Sequence, residues 1–574
     1  MPEKREYVGV LELTWRGGYV VTDHRQLRTD IHVPDHLLFG AQNGQKVLVR
    51  LTDWKRYKHY PEGEIVSILG QAGDNDTEMH SILAQFGLPY QYPEDAVEEA
   101  NAIQGDITEQ ELLRRKDMRD VLTFTIDPVD AKDFDDAISF DTISNSPNTY
   151  EVGVHIADVT HYVRPDTLLD KEAYARATSV YLVDRVVPML PEHLSNGICS
   201  LRPDEDKLCF SVIFVLDDDA NIIKYNIKKT VIRSNRRFCY EEAQERIVSG
   251  RGDYAEELQT LNSLAQQLRK RRFQNGAVAF NREEIGFKVD ENGKPLSVFF
   301  RRQEEANQLI EEFMLLANRT IAEYIGAPLG KRQTPKTFVY RVHDKPDPEK
   351  MEEFSKFVRN FGYKLDVSPH TDTAHSLNRL MQDIIGKPEQ DLIELLAVRS
   401  MAKAVYSTDN IGHYGLAFRY YTHFTSPIRR YPDIMVHRLL QQYMKGVASV
   451  GKEEYEERCK HCSEQEQLAV QVERVSVRYK QVEFMQNSVG QVFDAIVSGV
   501  TDWGVYVELE ENKSEGLVSM RSISDKYGDW FYCNQETFSL EGAQSGVRLR
   551  LGDRIQVKLI SASLEKRQLE FVLV

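Results

Sequence analysis

Long apolar runs are missing from this sequence, and so is a secretory leader. No stretch approaches the roughly 18 apolar residues that a membrane-spanning helix needs. The first ten residues, MPEKREYVGV, are charged and then strand-like, whereas a signal peptide would show a continuous apolar segment there. We therefore expect a cytoplasmic protein that contacts no membrane.

Cysteine is scarce, with six residues in a chain of 574. Scattered cysteines in this number are too few for a disulfide framework. The close pair is Cys459 and Cys462, and a zinc site would need about four such ligands, for which the sequence offers no second pair. The pair is predicted to be two ordinary cysteines of a helix.

Positive charge is in deficit, since 72 lysines and arginines stand against 89 aspartates and glutamates and leave a formal net charge of −17. This balance argues against a generally basic, nucleic-acid-binding surface. It does not exclude nucleic acid, because phosphates are bound by local positive patches rather than by the average charge. A nucleic-acid ligand would have to lie in a sheltered basic channel.

The length and the 41 % hydrophobic content favour about three or four domains with a large core. Residues 6–70 contain short β-branched or aromatic runs separated by turns such as Gln42-Asn43-Gly44, which is typical of a small barrel such as the OB-fold. The predicted strands are 7–13, 19–22, 30–33, 46–51 and 64–69. We expect residues 1–72 to form this barrel, and residues 73–104, a polar stretch followed by an acidic helix-like segment, to be a linker.

The rest of the chain is predicted to form an α+β domain over 105–486 and a second all-β barrel over 487–574. Strand-like runs at 150–158 and 208–217 come first in the middle region, and helical spacing dominates later. The residues with that spacing are Leu258, Leu261, Ala265 and Leu268, then Leu309, Phe313 and Leu316. Strand-like alternation returns at 489–497, 504–509, 514–519 and 554–562.

A cluster of aspartates is the strongest chemical signal. The segment TIDPVDAKDFDDAISF places five aspartates within ten residues, between strand-like apolar runs. They are Asp127, Asp130, Asp133, Asp135 and Asp136. Like charges this close raise one another's pKa, so a bound cation is expected, and oxygen ligands suit Mg²⁺ or Mn²⁺. One or two such ions could activate water for phosphodiester hydrolysis.

Two other interpretations of this cluster are a calcium loop and an acidic surface turn. The glycine and the terminal glutamate of an EF-hand loop are absent from the segment. The catalytic metal site is therefore the favoured interpretation.

A second signal is the turn YTHFTSPIRRYPD at 421–433, followed by a predicted helix from Pro432 to Met444. Arg429 and Arg430 would lie at its N-terminus, where the helix dipole disfavours cations and favours anions. A phosphate held by bidentate hydrogen bonds would account for them, and they would then stabilise charge during a reaction. Pairing with Asp433 or another local acid is the alternative, and this segment alone does not choose.

Together these segments resemble the two signature segments of the RNB catalytic domain of the ribonuclease II/ribonuclease R family. Connecting stretches resemble the family too, namely AYARATSVYLVDRVVPMLPEHLSNGICSL, ANQLIEEFMLLAN, YRVHDKP and DNIGHYGLAF. Residues 6–70 resemble its second cold-shock domain, and 487–574 its S1 domain, with TDWGVYVEL as the core. The resemblance covers nearly the whole chain and is closer to the ribonuclease R branch than to the ribonuclease II branch. We expect no first cold-shock domain, no N-terminal helical region and no lysine-rich tail.

The resemblance implies a role for particular residues. Asp127, Asp133, Asp135 and Asp136 match the family's metal and catalytic aspartates, and Asp130 is an extra carboxylate outside the metal set. Arg429 matches the arginine at the scissile phosphate, with Arg430 beside it as a further RNA contact. The other residues implied to contact RNA are Tyr181 at the 3′ end, Phe280 as a clamp on the base stack, Glu311 on a helix face, and the barrel aromatics Phe493, Trp503 and Tyr506.

The function implied is that of a processive 3′-to-5′ exoribonuclease. It would hydrolyse single-stranded RNA, and structured RNA with a 3′ overhang, to nucleoside 5′-monophosphates with one or two Mg²⁺ ions, as a monomer without an obligatory protein partner. One alternative is an RNA-binding protein with an inactive nuclease domain, but none of the aspartates nor the arginine is missing. Another is an endonuclease, which would need an open cleft.

Overall fold

The computed structural model describes residues 6–15, 17–22, 27, 29–54, 60–143, 146, 148–278, 284–327, 335–367, 373–387, 389–534 and 537–574. Phe280, predicted to clamp the RNA, lies outside these residues. Within them, no helix is both long enough and apolar enough to cross a membrane.

The N-terminal region is a closed five-stranded barrel, as predicted. Its strands are β1 (Glu6–Thr14), β2 (Gly17–Thr22), β3 (Ile31–Val33), β4 (Gln45–Asp53) and β5 (Glu62–Gln71), with a short 3-10 helix at Asp35–Leu37. They close in the order β1-β2-β3-β5-β4. Alternation along the strands directs Leu11, Val20 and Val47 into the barrel core.

The segment 73–104, predicted as a linker, carries helices α1 (Asn75–Gln85) and α2 (Glu94–Ala102). On α1, Met79, Ile82 and Leu83 are fully buried against the long helix α13 (Lys452–Met485). Buried Lys46 of the barrel also pairs with Glu78 at 2.7 Å. The apolar spacing on α1 therefore anchors the barrel to the rest of the chain.

The centre of the molecule is a seven-stranded sheet in the order β14-β7-β8-β9-β12-β13-β6. Its strands are β6 (Lys116–Asp117), β7 (Thr123–Asp127), β8 (Asp136–Thr142), β9 (Thr149–Ala157), β12 (Asp206–Asp217), β13 (Ile222–Arg233) and β14 (Arg236–Cys239). Neighbours are antiparallel except at the edges, where β14 runs parallel to β7 and β6 to β13. The strand-like runs predicted at 150–158 and 208–217 correspond to β9 and β12.

The helices of the central region are α3 (Glu109–Leu113), α4 (Val159–Tyr162), α5 (Leu168–Arg176), a π-helix (His193–Ile198), α6 (Tyr240–Ser249), α7 (Ala255–Gln274), α8 (Glu305–Gly326), α9 (Pro348–Arg359), α10 (Thr373–Asp383), α11 (Gln390–Ser400), a 3-10 helix (Tyr414–Leu416), α12 (Tyr431–Met444) and α13. The buried residues of α9, α10 and α11 form a separate apolar core, whereas most of the other helices share one apolar core with the sheet. The residues predicted at helical spacing on α7 and α8 are buried or pack against this core. Cys459 and Cys462 lie on the helix α13, as predicted, and both are buried and free.

The described residues of the central region also form three two-stranded sheets. They pair β10 (Val180–Tyr181) with β11 (Val186–Val187), β15 (Glu284–Val289) with β16 (Pro295–Arg301), and β17 (Tyr340–Val342) with β18 (Val405–Ser407). Val180 of β10 packs in the same cluster as α1 and α13.

The C-terminal region is a second closed barrel, in the order β19-β20-β21-β26-β25, as predicted. A short 3-10 helix (Gln486–Ser488) leads into β19 (Val492–Thr501), β20 (Gly504–Leu509), β21 (Glu515–Ser519), α14 (Met520–Tyr527), β25 (Arg554–Ser563) and β26 (Gln568–Leu573). Between α14 and β25 lies a separate three-stranded sheet of β22 (Phe531–Asn534), β23 (Ser539–Gly542) and β24 (Arg548–Arg550), for which the sequence made no prediction.

Candidate active site

The aspartate loop connects two neighbouring strands of the central sheet, because β7 ends at Asp127 and β8 begins at Asp136. Buried Ser200 fastens this loop: its Oγ donates to the carbonyl of Lys132 at 2.7 Å and accepts from the Phe134 amide at 3.0 Å. The carbonyl of Asp135 accepts from the Ala157 amide of β9 at 2.9 Å. The carboxylates therefore lie on a loop that is anchored on both sides.

The four predicted metal aspartates are in a poorly solvated environment. Burial raises the pKa of Asp127 to about 8, with a further contribution from Asp136, and burial raises the pKa of Asp136 to about 6 against the opposing charge of Arg429. Burial also raises the pKa of Asp133, and that of Asp135 to well above its ordinary range. Each carboxylate is thus unfavourable in its charged form unless a cation lies beside it.

The donor set fits a divalent cation. The Oδ2 atoms of Asp127 and Asp135 are buried and accept no hydrogen bond from the described residues. Among the described residues, no group of three or more His, Cys, Asp or Glu side chains is arranged so that it could hold a metal ion without other ligands. Mg²⁺ commonly takes only one or two carboxylates and completes its coordination with water and substrate phosphate oxygens. The arrangement suits an ion of that kind.

The arginine turn lies directly against this loop. The Ile428 amide donates to Oδ1 of Asp135 at 2.8 Å across 293 residues of sequence. Nε of Arg429 is 3.4 Å from Oδ2 of the same aspartate, and its Nη2 donates to Oγ of Ser426 at 3.1 Å. The side chain of Arg429 remains 42 % exposed, so its guanidinium can face a ligand as well as the carboxylate.

The two arginines at the start of α12 have different partners, which bears on the alternatives that the sequence left open. Arg430 donates from Nε and Nη2 to the two oxygens of the fully buried Asp433, at 2.9 and 2.8 Å. The pairing interpretation therefore holds for Arg430 in this structure, and its contact with RNA stays a prediction. Arg429 has no such bidentate partner among the described residues and faces the aspartate loop instead.

Tyr181, at the end of β10, lies close to Arg429 and the aspartate loop. The amide of the nearby Ser179 donates to the Arg429 carbonyl at 3.0 Å, which joins this strand to the arginine turn. Burial raises the pKa of the Tyr181 hydroxyl to about 12; Arg429 opposes this rise, while Asp133 and Asp135 add to it. The residue is nevertheless 37 % exposed, so its side chain lies at the edge of the site.

Comparison with known proteins identifies the family. The RNB domain family matches residues 115–446, the cold shock domain family residues 19–93, and the S1 RNA binding domain family residues 487–571. The RNB match alone spans more than half of the chain. The chain belongs to the ribonuclease R family of RNB-domain exoribonucleases.

Individual relatives agree with this assignment. The chain is 37 % identical to the ribonuclease R of Thermotoga maritima, over 99 % of this chain and 81 % of that protein. It is 38 % identical to the ribonuclease R of Aquifex aeolicus, over 93 % and 75 % of the two. The solved structure of Mycoplasma genitalium ribonuclease R in complex with ribose-methylated single-stranded RNA matches with a TM-score of 0.91 at 25 % identity, over 100 % of this chain and 90 % of that one. The chain is a 3′-to-5′ exoribonuclease of a divalent-metal-dependent family, which confirms the predicted activity.

The remaining predicted RNA contacts lie on α8 and in the C-terminal barrel. Glu311 on α8 lies 3.3 Å from Nη2 of Arg272 and 3.7 Å from Nη1 of Arg269, so it is ion-paired rather than simply solvated. Trp503 sits at the turn between β19 and β20 and is 64 % exposed, whereas Tyr506 is half-buried. Phe493 packs against the C-terminal barrel core. The structure tests none of their roles toward RNA.

Two residues of the site carried no signal in the sequence. Arg237 on β14 donates from Nη2 to the carbonyls of Pro128 and Val129, the latter at 2.9 Å, and its positive charge lowers the pKa of Asp127 against the dominant effect of burial. Tyr240 is the first residue of α6. Burial raises the pKa of its hydroxyl, and the negative charges of Asp136 and Asp127 add to this rise. Both contacts depend on the parallel pairing of β14 with β7, across more than 100 residues, which no local pattern shows.

Proposed function

We propose that this enzyme degrades single-stranded RNA processively from the 3′ end, and structured RNA that carries a 3′ overhang, releasing nucleoside 5′-monophosphates with Mg²⁺ as its natural metal. The proposal extends to Mn²⁺ as a substitute and to a monomer acting in the cytoplasm. The main observation behind it is that Nε of Arg429 lies 3.4 Å from Oδ2 of Asp135, in a buried acidic site.

Contacts of the arginine turn before α12 hold Arg429 in position. The Arg429 carbonyl accepts from the Ser179 amide, and its guanidinium donates to Ser426, whose own amide donates to Asp433 at 2.8 Å. A phosphate placed against Arg429 would also face the N-terminus of α12, which favours an anion. The bidentate pair of Arg430 with Asp433 neutralises a cation that the helix dipole would otherwise disfavour.

Asp127, Asp133, Asp135 and Asp136 would form the acidic site for the divalent ion, with one or two of them as direct ligands. The bound ion would supply an activated water and neutralise negative charge at the scissile phosphate. The residues of the chain supply orientation and fixed charge. The Ile428 amide holds the Asp135 carboxylate in one orientation, and Arg429 stabilises the charge that develops on the phosphoryl oxygens. Because the loop is anchored by Ser200 before substrate arrives, little reorganisation is needed during the reaction.

Tyr181 is proposed to stack on the base at the 3′ end. Its partial exposure and its proximity to Arg429 support this role, and stacking is tolerant of base identity. Discrimination against DNA would come from contacts with the 2′-hydroxyl.

The test uses 5′-labelled RNA, as a single strand and as a duplex with a 3′ overhang, with Mg²⁺, with Mn²⁺ or with EDTA. We expect progressive shortening to a small labelled product only with metal, and the same product from the overhang duplex. A circular RNA without a 3′ end should stay intact, and Asp135→Asn is the matched inactive control. Cleavage of the circle would establish an endonuclease, and binding without shortening would establish an RNA-binding protein.

A further inference from the structure

All four tryptophans of the chain lie on the surface of the barrel regions. Their exposed fractions are 85 % for Trp15, 39 % for Trp54, 64 % for Trp503 and 68 % for Trp530. Tryptophan is usually largely buried because of its large apolar area, so a surface tryptophan marks a place where a ligand can cover it. Trp530 belongs to none of the contacts discussed above.

The position of Trp530 follows from the alternation of β22. Phe531 is 2 % exposed and packs in the C-terminal barrel core, so its two neighbours face outward. The rings of Trp530 and Tyr532 lie with their centroids 5.9 Å apart and their planes tilted by 31°. Tyr532 is 40 % exposed. The two rings therefore form an open aromatic surface rather than a covered pair.

The backbone beneath this surface is held in place. The Trp530 amide donates to Oδ1 of Asp529 at 2.7 Å, and its carbonyl accepts from Ala543 at 2.9 Å. The Tyr532 hydroxyl donates to Oε2 of Glu541 at 3.1 Å. A surface organised in advance loses little entropy when a ligand binds to it.

Positive charge lies on the same side of the three-stranded sheet. Tyr532 pairs with Glu541 on the next strand, and Glu541 pairs with Arg548 on the third, so these side chains share one face of the sheet. Arg550 lies two residues after Arg548, on the same face, and pairs with Ser539. Nε of Arg548 is 3.7 Å from Oε1 of Glu541, and the side chain is 53 % exposed. Arg550 is exposed and makes no ion pair with the described residues. Aromatic rings with arginines beside them are the elements of a surface that binds single-stranded nucleic acid.

We propose that this aromatic face, made of Trp530, Tyr532, Arg548 and Arg550, is a second stacking surface for single-stranded RNA, separate from the aromatics of the C-terminal barrel itself. Bases stack on the two rings, and the arginines contact the adjacent phosphates. The proposal rests on the ribonuclease function, because RNA is the substrate whose unhydrolysed strand needs to be held.

The first test measures binding of a 5′-fluorescein-labelled 30-nucleotide RNA by anisotropy in EDTA, where no hydrolysis occurs. Trp530→Ala and Tyr532→Ala should each weaken binding by about tenfold, since one base–aromatic contact contributes that much. Trp530→Phe should keep most of the affinity, and Tyr324→Ala, an equally exposed tyrosine on α8, should keep all of it. Arg550→Ala should reduce the salt dependence of binding by about one phosphate contact.

The second test needs no variant. RNA that carries 5-iodouracil is photo-crosslinked to the unaltered enzyme, and the tryptic peptides are analysed by mass spectrometry. A crosslink within residues 527–548 is expected. Wild-type affinity of both alanine variants together with no crosslink there would overturn the aromatic face and leave the ribonuclease intact, whereas an unaltered enzyme that neither binds nor shortens RNA would overturn the function itself.

Discussion

Replacing Asp136 with asparagine should inactivate the enzyme and yet stabilise its metal-free form. Its pKa stands at about 6 against an ordinary 3.8 because of burial. Each pKa unit corresponds to about 1.4 kcal/mol, so the ionised carboxylate costs about 3 kcal/mol of folding free energy at pH 8. Asparagine has nearly the same shape and removes that cost.

The sign of the effect fixes its pH dependence. A carboxyl whose pKa is higher in the folded state contributes its full stability below the unfolded value, and that contribution is lost as the pH rises through the folded value. The difference between the variant and the wild type should therefore be small near pH 4, should grow between about pH 4 and about pH 6, and should level off above that. Mg²⁺ should slow the local opening of β7 and β8 in the wild type, and it should have less effect on the variant.

Hydrogen exchange of the amides in β7 and β8, followed by mass spectrometry in EDTA, measures this locally, which suits a multidomain chain that need not unfold in two states. We expect exchange in Asp136→Asn to be slower by up to about 100-fold at pH 8, after correction for the intrinsic exchange rate. Faster exchange in the variant, or a difference independent of pH, would refute the assignment of Asp136 as a buried carboxylate whose charge is unfavourable without a bound cation.

Four further substitutions test the site. Asp135→Asn should abolish turnover in the labelled-RNA assay while leaving RNA affinity in EDTA nearly unchanged, because the Ile428 hydrogen bond can be kept by the amide oxygen. Arg429→Ala should lower kcat by about 100-fold or more, as loss of a comparable charge-stabilising group does. Tyr181→Ala should lengthen the final labelled product seen on a sequencing gel. Arg237→Gln should raise the Mg²⁺ concentration needed for half-maximal rate and weaken Mn²⁺ binding measured by electron paramagnetic resonance, with Arg237→Lys partly restoring both.

Each of these results has a counterpart that would contradict it. Lost RNA binding in Asp135→Asn would show a structural loop, and a near-normal rate in Arg429→Ala would remove it from the reaction. An unchanged end product in Tyr181→Ala would mean that another residue stacks at the 3′ end. Unchanged metal binding in Arg237→Gln, with only the melting temperature lowered, would confine that arginine to folding.

Local patterns were sufficient for the two barrels and for the helices that follow the strands. Short β-branched or aromatic runs predicted β1 to β5, and strand-like alternation predicted β19, β20, β21 and β25. Helical spacing predicted α7 and α8, and start and stop signals predicted α12. These features depend on neighbours within a few residues, and the sequence displays such neighbours directly. The segment 73–104 shows the limit: its polar start suggested a linker, but packing of Met79, Ile82 and Leu83 against α13 made it a tertiary contact.

The sequence by itself determined which chemical groups are present: a loop of aspartates between buried strands and a turn that ends in two arginines before a helix. Tertiary structure decided which residues each of these groups contacts. It directed Arg429 to Asp135 and Arg430 to Asp433, brought Tyr181 alongside, and placed Arg237 behind the loop. The physical reason is range, because periodicity and capping act over a few residues, whereas these contacts join strands and turns that are separated by up to 293 residues.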